Sequence, residues 1–568
     1  MAKNWIPRGT EPLPGETALW AERLGVSELL VQLLWTRGLH TPEDMDVYLS
    51  PGLRHLAPPD CWPGLAQAAA VLDDGLAQGL PFAVWGDYDV DGVTSVALVK
   101  SFLAAHGIAA RHHIPNRFEE GYGMNVAWVE RLAQEGVRLL LTVDCGISDH
   151  ESVARARELG MTVVVSDHHL PGESLPQAHA ICNPRLADCP CPALAGVGVA
   201  FFLMAALNSR LAQRTGVKAD IRPLLDLVAL GTIADVVDLS GQNRILVKNG
   251  LLVMTEAGRP GIAALKEVSG YSVSASLGAG QVAFGLAPRI NAAGRLGEAD
   301  TALSLLLAPD YAAAAPLAAR LDAMNQERKE EEERILEEAR EQAAAQQDRM
   351  GLVLYAPHWH AGVIGIVASR IVEEFYRPTL ILCDEGGVVK GSGRSTAEFH
   401  LHEGLTRCAD LLLGFGGHRQ AAGMSLDHAG VDALRERFHA VVVESCGPHP
   451  LTASLKVDAE LGFARASDFA MLKELELLQP FGMGNAEPTF SSPVLEVRGN
   501  RRFGKNHMQL ELLDPSCGVT LRAKAWRQAD NLPRDMRGRK MRLAYTPRID
   551  RYNGLASVDL RIKDWELS

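Results

Sequence analysis

PFAVWGDYDVDG, residues 81–92, opens a pattern that recurs as VRLLLTVDCG at 137–146 and MTVVVSDHH at 161–169. In each, a short unbroken apolar run stops at acidic, glycine or histidine residues, and a helical period comes next. Runs of this kind suit strands buried on both faces, and their alternation with helices predicts an α/β fold built on a doubly wound parallel sheet. Ligands of such sheets lie beyond the carboxyl ends of the strands. The polar residues that end the runs therefore fall where a site is expected.

Asp87, Asp89 and Asp91 alternate with apolar residues, so while the chain stays extended all three project to one side. Unpaired they would repel one another, an arrangement that calls for divalent cations between them. Two other readings stand beside this one. An EF-hand loop begun at Asp87 would place Leu98 where the bidentate Glu belongs, after a strand instead of a helix. A solvated acidic turn is the plainer alternative. Other strand ends supply further candidate ligands: Asp144 after LLLTV, Asp167-His168-His169 after MTVVVS, and Asp235 in GTIADVV after LLDLVAL. Mixed Asp and His ligation suits Mn²⁺ or Mg²⁺ better than thiolate-bound zinc. Two such ions about 3.5–4 Å apart would activate water and stabilise the attacking and leaving oxygens of a displacement at phosphorus. The residues therefore predict phosphoester hydrolysis.

Outward from this core, 568 residues suggest several domains, and 47% hydrophobic with 22% charged residues predicts a folded chain. Residues 1–60, broken by prolines, read as an N-terminal extension packed onto the domain after it, and residues 61–310 as the parallel-sheet domain. Residues 311–348 read as one long connecting helix with Glu and Lys or Arg at i, i+4 spacing, a coiled-coil arm being the alternative. Residues 349–450 read as a second, smaller α/β domain. Residues 451–568 hold five alternating segments (PVLEVRGNRRF, MQLELLD, GVTLRAKAW, KMRLAYTP, LASVDLRIKDW) and predict an OB-like β-barrel. The net charge of −13 argues against a nucleic-acid partner only as an average: residues 497–568 carry 16 basic against 8 acidic residues, which leaves −21 for everything before them. No apolar leader core and no run of about 18 apolar residues occurs, which predicts a soluble cytoplasmic protein with no membrane contact. Nine scattered cysteines fit a reducing compartment. Cys182, Cys189 and Cys191 lack the paired knuckle of a zinc module, so zinc is the lesser reading there.

GDYDVDG, TVDCG, SDHH and IAD, in that order, resemble the four motifs of the DHH phosphoesterase superfamily. RINAAGRLG (289–297), HAGVIGIVASR (360–370), GSGRS (391–395) and GGHRQAAGM (416–424), with the basic barrel, resemble its branch of exonucleases specific for single-stranded DNA, over nearly the whole chain. The resemblance implies a DHH catalytic domain, a DHH-associated domain at 349–450, and an OB-like nucleic-acid-binding domain. It implies two divalent ions held by Asp87, Asp89, Asp91, Asp144, His168 and Asp235. Asp144 would bridge them, and His169 would orient the reacting phosphate, so that Asp144, His168 and His169 act directly in catalysis. The implied activity is 5′ to 3′ hydrolysis of single-stranded DNA to 5′-mononucleotides in repair and recombination. The strand would pass between the two α/β domains of a monomer, with a helicase and a single-strand-binding protein as partners.

Arg117, and Arg394 with Ser392, are candidates for gripping the 5′-terminal phosphate, with the small Gly416-Gly417-His418 turn admitting an anion. Arg289, Asn291 and Arg295 would hold the strand nearby. In the tail, Arg498, Arg501, Arg502, Phe503 and Lys505 set cations beside an aromatic, as single-strand binders do. Two alternatives remain: a phosphodiesterase acting on short oligonucleotides or cyclic dinucleotides, and a non-catalytic scaffold that binds single strands.

Overall fold

The structure is a computed structural model describing residues 3–59, 61–117, 119–186, 189–256, 258–551 and 556–567. These form two compact units, one of residues 7–322 with 456–567, the other of residues 3–6 with 323–455. In the first, β1 (Phe82–Trp85), β2 (Ala110–His113), β3 (Leu139–Val143), β4 (Thr162–Ser166) and β5 (Ala180–Cys182) form a parallel sheet in the order β2-β1-β3-β4-β5. Val84, Leu141 and Val164 sit side by side across its centre and are fully buried. Burial on both faces is why these runs are apolar without alternation, each such side chain contributing roughly 1.5–3 kcal/mol. Strand order reverses between β1 and β3, which makes their carboxyl ends the switch point where doubly wound sheets bind ligands.

Two local expectations are corrected here. The strand before the acidic triplet ends at Trp85, and α1 (Val90–Ala105) begins inside the triplet, so Asp87, Asp89 and Asp91 do not share one face of an extended chain. LLDLVAL is not a strand: Leu225–Ala234 forms helix α3, after α2 (Gly196–Thr215), and is buried from Leu225 through Ile233. A helix apolar on every side carries the same pattern as a buried strand. Further on, RINAAGR falls in α4 (Ala287–Arg295).

Helix α5 (Tyr311–Ala345) runs out of this unit into the second. Its inner stripe of Ile335, Ala339 and Ala343 packs with Leu352, Leu354 and Ile381, while most of its charged residues face solvent. The second unit holds β6 (Leu352–Tyr355), α6 (Ala361–Phe375), β7 (Thr379–Glu385), β8 (Val388–Arg394), β9 (Gly414–Gly417) and β10 (Ala421–Leu426). The sheet order is β9-β10-β8-β7-β6, parallel only between β6 and β7.

The tail, back in the first unit, forms β11 (Leu495–Phe503), β12 (His507–Asp514), β13 (Val519–Ala525), β14 (Lys540–Asp550) and β15 (Ser557–Leu567). β11 pairs β12, β12 pairs β13, β13 pairs β15, β15 pairs β14 and β14 returns to β11, so the five strands close a barrel. The N-terminal residues meet the parallel-sheet domain through Pro51, His55 and Ala57, bonded to Asn249 and Gln242, and pack more broadly against the tail. Leu30, Val31, Leu33, Leu34 and Met45 share one core with Leu461, Phe463, Leu495, Leu510 and Ile562, so the beginning of the chain is packed on its end. Arg244 ties this assembly to the parallel-sheet domain. Its buried guanidinium lies 3.7 Å from the centre of the Tyr48 ring and donates to the carbonyls of Tyr48 (2.9 Å), Leu477 (2.9 Å) and Leu478 (3.0 Å). Burial pushes its pKa down to about 10. No helix among the described residues is long and apolar enough to cross a membrane.

Candidate metal centre

Three kinds of local structure deliver carboxylates to the switch point. Asp89 is the N-cap of α1, its Oδ1 accepting from the N–H groups of Asp91 (2.8 Å) and Gly92 (3.1 Å), which turns the chain and leaves Asp91 in the first helical turn. Asp91 is then met by the start of α2, where the N–H groups of Gly196 and Val197 donate to its Oδ2 (2.6 Å) and Oδ1 (2.9 Å). Asp144 comes after β3 with φ of +60°, a strained backbone for a residue with a side chain. Asp235 caps the end of α3, and Val236 after it is strained in the same way, with φ of +59°. Gly196 is fixed by this crowding: a Cβ there would lie 2.6 Å from Asp144 Oδ1 and 2.7 Å from Asp144 Cβ.

The donor atoms gather into interlocking sets. One oxygen each of Asp87, Asp89 and Asp144 lie within 4.8 Å of one another, and so do those of Asp91 and Asp235 with a nitrogen of His168. Asp144 joins the sets, since its Oδ1 is 3.2 Å from His168 Nε2, which is also 3.7 Å from Asp235 Oδ2 and 3.9 Å from Asp91 Oδ2. Asp87 Oδ1, Asp144 Oδ1, Asp235 Oδ2 and His168 Nε2 are buried without a hydrogen-bond partner. Buried polar atoms are almost always satisfied, so four orphans aimed at one place call for a ligand. The donor set, hard oxygens with one imidazole, fits Mn²⁺ or Mg²⁺.

Electrostatics leads to the same reading. Burial, then the charge of Asp89, pushes Asp87 up to about 8 and Asp91 up to about 7. Burial and the charges of Asp91 and Asp89 push Asp235 up to about 9, and burial with four neighbouring carboxylates drives Asp144 well above its ordinary value. Burial, then the charge of His169, lowers His168 to about 4, which keeps it neutral and able to ligate near neutral pH.

Asp167 is the scaffold of the histidine pair. Its buried carboxylate accepts from the N–H groups of Ile147 (3.0 Å), His168 (2.7 Å) and His169 (3.1 Å) and pairs with His169 Nδ1 at 2.7 Å. Burial lowers the His169 pKa, but the Asp167 hydrogen bond and charge outweigh it and hold that imidazole above its ordinary value. The Tyr122 hydroxyl stands 3.3 Å from His169 Nδ1 and donates to the Asp144 carbonyl at 3.4 Å. Arg185 Nε donates to the His168 carbonyl at 2.7 Å. Asp167 is visible in the sequence beside the two histidines but reads there as part of a motif; nothing local marks Tyr122 or Arg185, which only the fold brings in.

The other candidates separate by environment. Arg117 is exposed, its guanidinium 5.3 Å from the Tyr88 ring centre and close enough to Asp87 to act on it electrostatically. Arg295 is half-buried beside Tyr88, and Asn291, also half-buried, lies on the same helix. Arg289 is 9% exposed and bonded to Asp322 (2.7 Å) and to the carbonyls of Val268 (3.0 Å) and Gly285, contacts that hold α4 in place.

In the second unit, Arg394 is half-buried under Gly365 of α6, bonded to Ser392 Oγ (3.2 Å) and the Gly393 carbonyl (2.8 Å), with no carboxylate at ion-pair distance among the described residues. Burial alone pushes its pKa down. His418 is exposed at the β9–β10 turn. On the barrel, Arg498 pairs with Glu496, Arg502 with Asp530, and Arg501 bonds Gln509, while Lys505 is exposed. Phe503 has company that the sequence reading missed. His507 and Trp526 complete an aromatic cluster with ring centres 4.8–5.4 Å apart, and Trp526 is 41% exposed.

Comparison with known proteins agrees in order and extent. Residues 81–232 match the N-terminal domain of the DHH family, residues 349–444 the DHHA1 domain, and residues 457–564 the RecJ OB domain. The single-stranded-DNA-specific exonuclease RecJ of Dickeya dadantii is 42% identical over 528 residues, 89% of this chain and 91% of the relative. RecJ of Escherichia coli is 37% identical over 559 residues, 94% and 95% of the two chains. The crystal structure of RecJ from Thermus thermophilus in complex with Mn²⁺ is similar with a TM-score of 0.84 at 34% identity, covering 99% of this chain and 79% of that one. A Mg²⁺ complex of the same protein has a TM-score of 0.77 at 33% identity, covering 99% and 78%.

Proposed function

The chain belongs to the RecJ family of single-stranded-DNA-specific exonucleases, and on that premise we propose that it hydrolyses single-stranded DNA from the 5′ end, releasing 5′-mononucleotides. The observation that carries the reading is the pair of donor sets joined at Asp144 and His168. Asp87, Asp89 and Asp144 would hold one divalent ion, and Asp91, His168 and Asp235 the other. Bound Mn²⁺ or Mg²⁺ supplies Lewis acidity toward water and toward the phosphate oxygens.

The chain's own groups do the rest. The acids with raised pKa values, Asp87, Asp91, Asp144 and Asp235, give up protons on loading and become ligands. His169, kept basic by Asp167, holds a proton facing the reacting phosphate and orients it. Arg117 meets the terminal phosphate with an exposed guanidinium. Hydrolysis breaks the bond from the scissile phosphorus to the 3′ oxygen of the terminal nucleotide, so that phosphate stays as the new 5′ phosphate of the shortened strand, and the released nucleotide keeps the 5′ phosphate it already carried. In the second unit, the guanidinium of Arg394 with Ser392 Oγ forms a further anion site. On the barrel, the exposed Trp526 ring beside Phe503 and His507 suits a nucleobase, with Arg501 and Lys505 on the β11–β12 hairpin for the phosphate backbone. A helicase that frees single strands and a single-strand-binding protein are the partners such an activity needs, and repair and recombination the processes it serves.

End-labelled linear single strands test the reading. A 5′ label should leave as a mononucleotide from the first turnover, while a 3′-labelled strand shortens progressively. Asp144→Ala should abolish cleavage yet still bind the strand. A dinucleotide cleaved as fast as a long strand would instead favour a small-substrate phosphodiesterase.

A further inference from the structure

Three thiols from two separate segments meet beside the loop that leads from β5 back to the metal centre. The sulfurs of Cys189 and Cys191 are 3.4 Å apart, and the Cys191 N–H donates to Cys189 Sγ at 3.4 Å. Cys61, just before the helix Pro63–Ala77, bonds through its side chain to that of Cys191. Cys191 is buried and Cys189 is half-buried. The same loop is part of the centre's scaffold. Asn183 Nδ2 donates to the His169 carbonyl (2.9 Å), Arg185 Nε to the His168 carbonyl (2.7 Å), and the loop ends at the Gly196 and Val197 N–H groups that hold Asp91.

We propose that Cys189 and Cys191 are a peroxide-sensitive dithiol, Cys189 being oxidised first and Cys191 resolving it, and that closing their disulfide slows the hydrolytic centre through the loop between β5 and α2. The hydrogen bond from the Cys191 side chain, with help from its backbone N–H, holds Cys189 below the ordinary thiol range against the rise that burial imposes. That same bond, burial and the thiols of Cys189 and Cys61 push Cys191 up, so the shared proton stays on Cys191. A half-buried thiol held below its ordinary range at 3.4 Å from a second thiol pushed above it is the arrangement that redox-sensitive pairs use. Cys145 and Cys182 are fully buried with thiols pushed up, and are inert by comparison.

The chemistry balances with hydrogen peroxide as oxidant. The Cys189 thiolate attacks one peroxide oxygen, the O–O bond breaks, and Cys189 becomes a sulfenic acid while hydroxide leaves and takes up a proton. The Cys191 sulfur then attacks the sulfenic sulfur. An S–S bond forms, the S–O bond breaks, and the hydroxyl leaves as a second water with the Cys191 proton. Two electrons pass from the thiols to the peroxide. A disulfide requires the sulfurs to close to about 2.05 Å, so the two side chains must draw together by roughly 1.4 Å. Displacing outer groups that orient metal ligands costs about 10- to 100-fold in metal affinity or activity.

The test treats the full-length, Mg²⁺-loaded protein with peroxide, alkylates the remaining thiols and maps them by mass spectrometry. The tryptic peptide 186–210 should lose two hydrogens and escape alkylation. Hydrolysis of single-stranded DNA should slow about tenfold, in line with that range, and dithiothreitol should restore both. Cys191→Ser should stop at a Cys189 sulfenic acid trapped by dimedone, with no internal disulfide, and Cys189→Ser should show neither product. The thiol map stands apart from the substrate assignment, so a failed nuclease reading would leave it legible. A pair that stays reduced, a disulfide to Cys61 or Cys182 instead, an oxidised pair with unchanged hydrolysis, or zinc found on these thiols in the purified protein would each overturn the proposal.

Discussion

Loading the centre with metal should expel protons, and the number comes from the carboxylates. In the metal-free chain Asp87 and Asp235 are raised to about 8 and about 9, Asp91 to about 7, and Asp144 well above the carboxylate range. At pH 7 the first two hold their protons, Asp91 is near its midpoint and Asp144 is shifted in the same direction, whereas ligating carboxylates must be ionised. Metal binding at pH 7 should therefore release at least two protons per chain, about one each from Asp87 and Asp235 and part of one from Asp91, with Asp144 adding to the count. His168, lowered to about 4, has none to give. Each released proton steepens the rise of metal affinity with pH by about 1.4 kcal/mol per pH unit. Calorimetric titration of Mn²⁺ into chelator-stripped protein, in two buffers of different ionisation enthalpy, measures the count directly. It should fall as the pH passes from 7 through 9, because Asp91 and then Asp87 ionise unaided and Asp235 reaches its midpoint. Asp144→Asn should lower it. A release near zero at pH 7, or one unchanged with pH, would refute the reasoning.

The same shifts set the stability of the metal-free chain. Folded pKa values raised above 3.8 give a contribution that is full below that value and lost as pH rises through about 7, 8 and 9, so melting temperature in chelator should fall across that range and recover with Mn²⁺. A flat profile would count against it. Gly196→Ala forces a Cβ to 2.6 Å from Asp144 Oδ1, and should cost about 1–3 kcal/mol of stability and on the order of 10²-fold in kcat, read by denaturant melts and steady-state hydrolysis. Trp526→Ala should weaken binding of long single strands by about 1–3 kcal/mol while leaving dinucleotide hydrolysis unchanged, as measured by fluorescence anisotropy and rate.

The sheet and the barrel were legible in the sequence because each has a local signature: unbroken apolar runs for β1, β3 and β4, and alternation for β11 to β15. The residues of the metal centre were legible too, though not the way they come together. Asp89 turns the chain as an N-cap, and Asp235 arrives on a buried helix whose pattern matches a strand's. What the sequence did not reveal is non-local. Leu33 and Leu510 share a core although hundreds of residues separate them. Arg289 looks like any other arginine near a strand-binding motif until Asp322 and two carbonyls are found around it. Trp526 ends a strand as an unremarked aromatic, and only the closed barrel sets it beside Phe503 and His507.

Anomalous diffraction from crystals soaked in Mn²⁺ tests the metal centre most directly. Two peaks are expected, one flanked by Asp87, Asp89 and Asp144 and the other by Asp91, His168 and Asp235. A single peak, or peaks away from these six side chains, would contradict the account.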